Sequence, residues 1–341
     1  MTGSEPYTIA EIASAHNGEK KLLKDLINIG IENKFSAIKI QIFRYEELVS
    51  KYSKGQDSLL DIELKAEEWH EVFNWTNQQV NNKFRQIDFI AEPYGEKSLE
   101  IASKYKFFNA YKLPTSDLSN LTLIDSIFRV TEVLYLGTGG SKLEELDRTI
   151  SYIQTKYPSK TIKLIHGFQS YPTYSEDCDL WKINFLKNRY KLEVGFADHL
   201  EANNVISRHI ASIAAIAMGA NFIEKHINYK REEKKPDYYS ALNTNELKTF
   251  LDSMKTISEL IKVEKSFSLN ENEEKYRRNM KKYAVANNDM SKGHLINRED
   301  LKFKRVENGS FSFYESDIIL GKILRKDILL DQSITKEHIN G

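Results

Sequence analysis

A chain of 341 residues, 40% hydrophobic and 11% aromatic, can bury a large core, and its length suits one large folding unit joined to a smaller one. Lysine plus arginine (49) balances aspartate plus glutamate (49), so nothing at whole-chain level draws in a polyanion such as nucleic acid. The single cysteine, Cys178, excludes an intrachain disulfide framework and a multi-cysteine metal cluster, and fits a reducing cytosol. No apolar run is long enough to cross a bilayer, and Met1-Thr-Gly-Ser-Glu-Pro lacks the basic and apolar regions of a signal peptide, so a soluble cytoplasmic protein without a membrane partner is expected.

Along the chain, short β-rich apolar runs alternate with segments of helical periodicity. Tyr7–Ala10 reads as the first strand and Lys20–Asn33 as an amphipathic helix. Ala37–Ile42 is the second strand, followed by a helix over Glu67–Val80 in which Trp69, Val72, Phe73, Thr76 and Val80 recur at helical spacing. Asp88–Ala91 precedes a helix over Gly95–Tyr105, and Ala110–Leu113, Val133–Leu136, Ile162–Ile165, Glu193–Ala197 and Asn221–His226 continue the series with helical patterns after each. The last two strands frame a helix over Val205–Met218 and end abruptly in chemistry-bearing side chains, in Glu193-Val-Gly-Phe-Ala-Asp-His199 and Ala220-Asn-Phe-Ile-Glu-Lys-His226.

Eight such units by Lys262 are what a (β/α)8 barrel requires, and such a barrel works at the carboxyl ends of its strands. The polar residues there are Glu11, Lys39 and Gln41, Glu92, Lys112 and Thr115, Thr138, His166 and Gln169, Asp198 and His199, and Glu224 and His226. A doubly wound sheet is the competing architecture, but no GxGxxG follows the first strand and no single switch point gathers the polar residues. These readings give a TIM-barrel domain over residues 1–263, a charge-dense linker over 264–282, and a small unit over 283–341 with short β-like runs broken by Lys292-Gly293, Asn308-Gly309 and Gly321. A unit of about sixty residues is marginal alone and is expected to pack against its barrel or a partner subunit.

Several stretches in register carry a resemblance. Ala10-Glu-Ile-Ala-Ser-Ala-His-Asn-Gly18, Ile38-Lys-Ile-Gln41, Tyr111-Lys-Leu-Pro-Thr-Ser-Asp-Leu118, Gly137-Thr-Gly139, His166 to Pro172, Gly195 to His199 and Ile223-Glu-Lys-His226 have the order and spacing of the sialic acid synthase family. The tail, with Lys304-Arg305, Asn308-Gly309 and Leu320-Gly321-Lys322, resembles the mostly-β antifreeze-like (SAF, β-clip) domain that closes those enzymes.

The resemblance implies a metal-dependent condensation of phosphoenolpyruvate with an N-acylated amino sugar such as N-acetylmannosamine, giving a nonulosonate and phosphate. It assigns a divalent metal, manganese or magnesium, to His199 and His226. Either histidine alone reads as a satisfied buried base, whereas two at adjacent strand ends suit a metal that keeps positions for water and substrate. Lys39 and Lys112 match lysines for phosphate and carboxylate. A lysine ending an apolar strand must find an anion, and an ion pair with Glu11 or Glu92 is the structural alternative. Glu11 and Glu224 match carboxylates for hydroxyl binding or proton transfer, Thr115 stands where the family has a serine, and Tyr171 and Asp237 match residues that position the sugar. Gln41, Glu92, Thr138, Gln169 and Asp198 line the same site in this reading. Arg305 matches an arginine that reaches the sugar's acyl group across a domain-swapped homodimer.

The departures cluster. Ala91-Glu-Pro-Tyr94 replaces the family's Ser-Thr-Pro-Phe, Gly137-Thr-Gly139 replaces Ser-Thr-Gly, His166-Gly-Phe-Gln-Ser-Tyr-Pro172 replaces His-Cys-Thr-(Asn/Ser)-x-Tyr-Pro, and Ala197-Asp-His199 replaces Ser-Asp-His. Small hydroxyl or amide donors are thus altered around one substrate, and Glu92 brings a carboxylate where a phosphate would sit, repelling it unless Glu92 turns away or pairs with a lysine. An aldolase, lyase or other sugar-modifying enzyme with a different donor is the alternative, and a non-catalytic sugar-binding homologue a third. His16-Asn17-Gly18 reads first as a turn, Cys178 as structural, and Lys230-Arg-Glu-Glu-Lys-Lys235 as a solvated loop placed to cover the sugar site.

Overall fold

The structure is a computed structural model and describes residues 6–53, 58–83, 87–167, 173–234, 236–261, 267–307 and 309–339. Two compact units, Met1–Val263 and Glu264–Gly341, each have their own apolar core.

In the first unit eight parallel strands close into a barrel. They are β1 (Tyr7–Glu11), β2 (Ala37–Ile42), β3 (Asp88–Pro93), β4 (Phe108–Leu113), β5 (Val133–Gly137), β6 (Thr161–His166), β7 (Glu193–Asp198) and β8 (Phe222–Asn228). Each pairs with the next, and β8 returns to pair with β1, so the sheet has no open edge within the ring. Helices surround it: α1 (Lys20–Glu32), the short α2 (Tyr45–Leu48) and α3 (Ser58–Ile62), α4 (Ala66–Lys83), α5 (Glu96–Ser103), α6 (Leu121–Phe128), α7 (Leu143–Lys156), α8 (Trp181–Tyr190), α9 (Ser207–Ala217) and α10 (Leu247–Leu260). A two-residue strand, β9 (Leu242–Asn243), pairs in parallel with the end of β8. The strands read as near-continuous apolar runs because both faces are covered, one by the helices and one by the barrel's own interior.

Side chains alternate along each strand, and that alternation builds the interior in layers. One residue from every strand meets at the centre: Ile9, Ala37, Ile90, Ala110, Tyr135, Ile165, Ala197 and Phe222. Below them, the Tyr7 hydroxyl donates to Asp88 at 2.6 Å and Lys163 pairs with Glu193 at 2.8 Å, closing the amino-terminal end with polar contacts. Above them, two residues further along each strand, lie Glu11, Lys39, Glu92, Lys112, Gly137 and Glu224.

The second unit opens with α11 (Glu271–Met280), within the stretch read as a linker; the Asn270 side chain caps it by accepting from the Glu273 amide at 2.9 Å. Antiparallel β10 (Lys282–Ala286) and β11 (Leu301–Arg305) follow, with isolated bridges Val285–Ser333, Met290–Ile328 and Leu295–Ile323 and the short helices α12 (Ser316–Ile319) and α13 (Lys336–Ile339). Its core is mostly aliphatic, from Ala284, Met290, Ile296, Phe311, Leu324 and Ile334 among others. Among the described residues no helix is long and apolar enough to cross a membrane.

Gly195 of β7 faces the ring of Phe222 across the interior, and a Cβ there would lie 2.1 Å from the ring. Gly195→Ala is therefore expected to destabilise the barrel by about 1–3 kcal/mol through overpacking. The urea unfolding midpoint measures it, and an unchanged midpoint would contradict the layer packing.

Candidate active site at the barrel mouth

At the carboxyl ends of the strands, five charged side chains are buried together. Lys39 Nζ reaches Glu92 Oε2 at 2.5 Å and Glu224 Oε1 at 3.0 Å, and also pairs with Glu11. Lys112 Nζ lies 3.1 Å from Glu224 Oε1 and 3.4 Å from Glu92 Oε1. All five side chains are nearly inaccessible to solvent, at 0–2% for the whole residues. Glu11 is further fixed by accepting the Ala13 amide at 2.6 Å, beside an Ala13 backbone at φ 43°. The ion-pair alternative thus holds for both lysines: they meet the chain's own carboxylates, and Glu92 does not turn away but bridges the two cations.

Burial drives the electrostatics of this cluster. The Glu224 carboxyl, which burial alone would raise, is held down at about 2 by Lys112 and Lys39. Burial opposes the charge on Lys112, but Glu224 and Glu92 outweigh it and raise its pKa. Lys39 shifts downward, because its own burial, with Lys112 adding to it, exceeds the support of Glu224 and Glu92.

His199 and His226 face each other beside this cluster, edge to face, with ring centroids 5.1 Å apart. Both are buried. The His199 carbonyl is anchored by the Thr173 amide at 3.0 Å and the Ser240 hydroxyl at 2.5 Å. Gln41 shares the inward face of β2 with Lys39 and is half-buried. Asp237, at φ 64°, accepts the Ser14 amide at 3.2 Å and so ties the segment after β8 to the loop after β1; burial raises its pKa.

Two proposed substrate contacts point elsewhere. Asp198 faces the helical layer, because Ala197 and His199 take the inward positions on either side of it. Its Oδ1 pairs with Lys225 Nζ at 3.0 Å and accepts the Leu200 amide at 3.0 Å, and its Oδ2 accepts the Ser212 hydroxyl of α9 at 2.6 Å. Asp198 is a structural residue of the β7–β8–α9 packing rather than a substrate ligand. Lys225 and Ser212 were missed in the sequence, although Lys225 between Glu224 and His226 has to face away from both. Thr138 likewise leaves the mouth: its hydroxyl donates to the Ile165 carbonyl at 3.2 Å, and it lines an outer cavity of about 530 Å³ with His166, Trp181 and Phe185.

Thr115, on a short 3-10 turn after β4, is pressed against Gly137. A Cβ at residue 137 would lie 2.3 Å from the Thr115 hydroxyl and 3.1 Å from its amide nitrogen, so the loss of a side chain at one position makes room for the threonine at the other. Gln169 and Tyr171 lie outside the described residues, as does Lys235. Arg305 ends β11, exposed, in the second unit. Arg231, in the loop after β8, is tethered by Glu246 at 2.9 Å. Cys178 is buried, and burial pushes its thiol up to about 11, the environment of a structural cysteine.

The NeuB family matches residues 26–266, and the SAF domain matches residues 281–340. The chain belongs to the NeuB family. It is 26% identical to the N,N'-diacetyllegionaminic acid synthase of Campylobacter jejuni, over 96% of this chain and 98% of that one, and 25% identical to the N-acetylneuraminate-9-phosphate synthase of Drosophila melanogaster, over 98% and 95%. Its fold is similar to a solved structure described as a putative spore coat polysaccharide biosynthesis protein E from Chromobacterium violaceum, at TM-score 0.79 and 18% identity over 99% of this chain and all of that one.

The metal that NeuB membership implies can be tested against the donors present. Burial, reinforced by His199, Lys39, Lys112 and Lys225, drives the His226 pKa well below the usual imidazole range, and a neutral imidazole is the form that binds a divalent cation. Among the described residues no group of three or more His, Cys, Asp or Glu could hold a metal; an ion held by this pair would keep its other positions for water or substrate. On donor chemistry the pair fits.

Asp198→Ala would leave Lys225 buried without its carboxylate, and is expected to cost this NeuB chain about 3–5 kcal/mol of stability, with partial rescue by Asp198→Ala combined with Lys225→Met. Thermal unfolding of the single and double variants checks this; a stable single variant with only a raised KM would return Asp198 to substrate binding. His16 packs edge-on against Trp69 at 5.8 Å and accepts the Gly18 amide, and burial lowers its pKa to about 4 from 6.5. Between those two pH values the unfolded chain takes up a proton that the folded chain refuses, so this contribution is whole above pH 6.5 and falls by about 3 kcal/mol towards pH 4. His16→Gln is expected to flatten that acid slope, read from urea unfolding at a series of pH values.

Proposed function

We propose that this chain is a nonulosonate-type synthase that joins a three-carbon enol donor to the open-chain aldehyde of an N-acylated amino sugar. The observation that carries the reading is the barrel mouth itself, where two lysines and three glutamates are buried beside a facing histidine pair in a chain of the NeuB family. In the family reading the donor is phosphoenolpyruvate, its carboxylate and phosphate drawn to Lys39 and Lys112, and phosphate leaves by C–O cleavage after water adds at the former enol carbon. A second reading, a donor without phosphate, is favoured by the pairing of Glu92 with both lysines.

The residues have complementary roles in this proposal. Held by His199 and His226, a divalent ion, manganese or magnesium, would supply Lewis-acid polarisation of the sugar aldehyde. Glu11 and Glu224 bind hydroxyls or move protons, and Gln41 and Asp237 orient the sugar chain. Arg305 is proposed to meet the sugar's acyl group from the partner subunit of a domain-swapped homodimer; Phe313 and Tyr314, exposed on the second unit, are consistent with an apolar surface used in assembly. The enzyme is proposed to act in the cytoplasm, in the synthesis of a surface polysaccharide.

Purified protein incubated with phosphoenolpyruvate or pyruvate and a panel of N-acyl hexosamines, with and without manganese, is expected to form a sugar-dependent 2-oxo acid. Turnover should fall by about 100-fold or more with chelator or with His226→Ala. Tight sugar binding with no product from either donor would leave a non-catalytic binding protein.

A further inference from the structure

One buried donor at the end of β8 has nothing to donate to. Asn228, the last residue of the strand, is fully buried, and its side-chain Nδ2 has no hydrogen-bond partner among the described residues. Which end of the amide is which follows from the turn that begins there. The Lys230 amide donates to Asn228 Oδ1 at 3.2 Å, so the oxygen is spent on the turn and the NH2 group is the end left over. The turn is itself held. The Arg231 amide donates to Asn243 Oδ1 at 2.6 Å, β9 sets Asn243 opposite Asn228, and Glu246 takes the Arg231 guanidinium on both carboxylate oxygens at 2.9 Å.

A buried N–H without an acceptor is costly, and an aliphatic side chain would fill the same place without that cost. A bound molecule that brings the acceptor accounts for such a group. The alternation of β8 gives its direction. Phe222 lies in the central layer, Glu224 and His226 follow it inward, and Ile227 packs in the core beneath the helices, so Asn228 takes the next inward position. At about 3.3 Å per residue it stands about 7 Å beyond His226 and about 13 Å beyond Glu224 along the strand, away from the lysines and towards the opening. The connection it leads into carries Asp237, which accepts the Ser14 amide at 3.2 Å. An uncharged donor here suits an uncharged oxygen of the sugar better than the anionic ends of an enol acid. Its own oxygen being used, Asn228 offers only a donor, and the sugar group that only accepts is the N-acyl carbonyl; a hydroxyl can do either.

We propose that Asn228 is a specificity-determining residue for the acceptor, its Nδ2–H donating to the carbonyl oxygen of the sugar's N-acyl group. The inference rests on the reading of this chain as a synthase acting on an N-acylated amino sugar. The carbonyl oxygen has two lone pairs, so a second donor such as Arg305 can share it. The amide is fixed by its turn before the sugar arrives, so little side-chain freedom is lost on binding.

The test compares N-acetylmannosamine and N-acetylglucosamine with mannose and glucose, using the full-length protein and Asn228→Asp. That variant keeps the oxygen that takes the Lys230 amide and loses the NH2 group. KM is measured with phosphoenolpyruvate and manganese, and affinity by saturation-transfer NMR. For the N-acyl sugar that the parent takes, KM and dissociation constant are expected to rise about 10-fold or more, while the KM of phosphoenolpyruvate and the affinity for the unacylated hexoses hold. If Asn228→Asp does not fold by circular dichroism, Asn228→Ser serves instead, since its hydroxyl can still take the Lys230 amide but stops short of the sugar. Unchanged sugar binding in a folded variant overturns the assignment and makes Nδ2 the partner of a bound water, with the synthase reading untouched. An equal loss for mannose or glucose overturns the acyl carbonyl as the acceptor. Binding of none of the four sugars by the parent overturns the amino-sugar reading, and the inference falls with it.

Discussion

Everything at the mouth depends on burying five charges in one small volume. Each ion loses several kcal/mol of hydration on entering the barrel, and only mutual pairing at near-contact distances offsets this. Such pairing requires fixed strand registers. Glu11 is the register partner of Lys39 across β1–β2 and of His226 across β8–β1, and Gln41 is that of Glu92 across β2–β3. A slip of one residue on any of these strands would turn its charge into the apolar helical layer, so the cluster and the closed barrel specify each other.

The same alternation makes β8 serve two electrostatic environments. Glu224 and His226 face the interior, while Lys225 between them faces out to Asp198, which Ser212 of α9 also holds. One strand therefore ties the reactive mouth to the packing of its own helix. A change meant for the outer pair would be felt inside, because the strand that carries Lys225 also orients both inward groups. This is a physical reason for Asp-His and Glu-Lys-His to stand as intact units at the ends of adjacent strands.

The fold was largely legible in the sequence, because eight apolar runs separated by helical periodicity leave few architectures, and the family resemblance covered both units. Which residues would gather was partly legible: Glu11, Lys39, Glu92, Lys112 and Glu224 do meet, beside His199 and His226. What failed was direction. Asp198 and Thr138 were taken as site residues for their place at strand ends, yet the alternation that puts His199 and Gly137 inside puts these two outside. Applied strictly, a period of two would have found this. Whether the lysines await an anion or already hold one was not legible, since it depends on distances between strands far apart in sequence, such as the 53 positions that separate Lys39 from Glu92. The coupling of Gly137 to Thr115 was hidden for the same reason.

The departures at residues 92, 137 and 197 look independent in the sequence but share one physical logic. With a carboxylate at position 92 engaging both lysines, a hydroxyl at 137 or 197 would be a further buried polar group needing a partner of its own. Glycine and alanine remove that demand. Glycine at 137 also admits Thr115 to the vacated space, and alanine at 197 completes the apolar layer beside Phe222. His199 and His226 stand where the family resemblance puts them, on the adjacent strand ends, and face each other at 5.1 Å, outside the ion pairs that Glu92 makes.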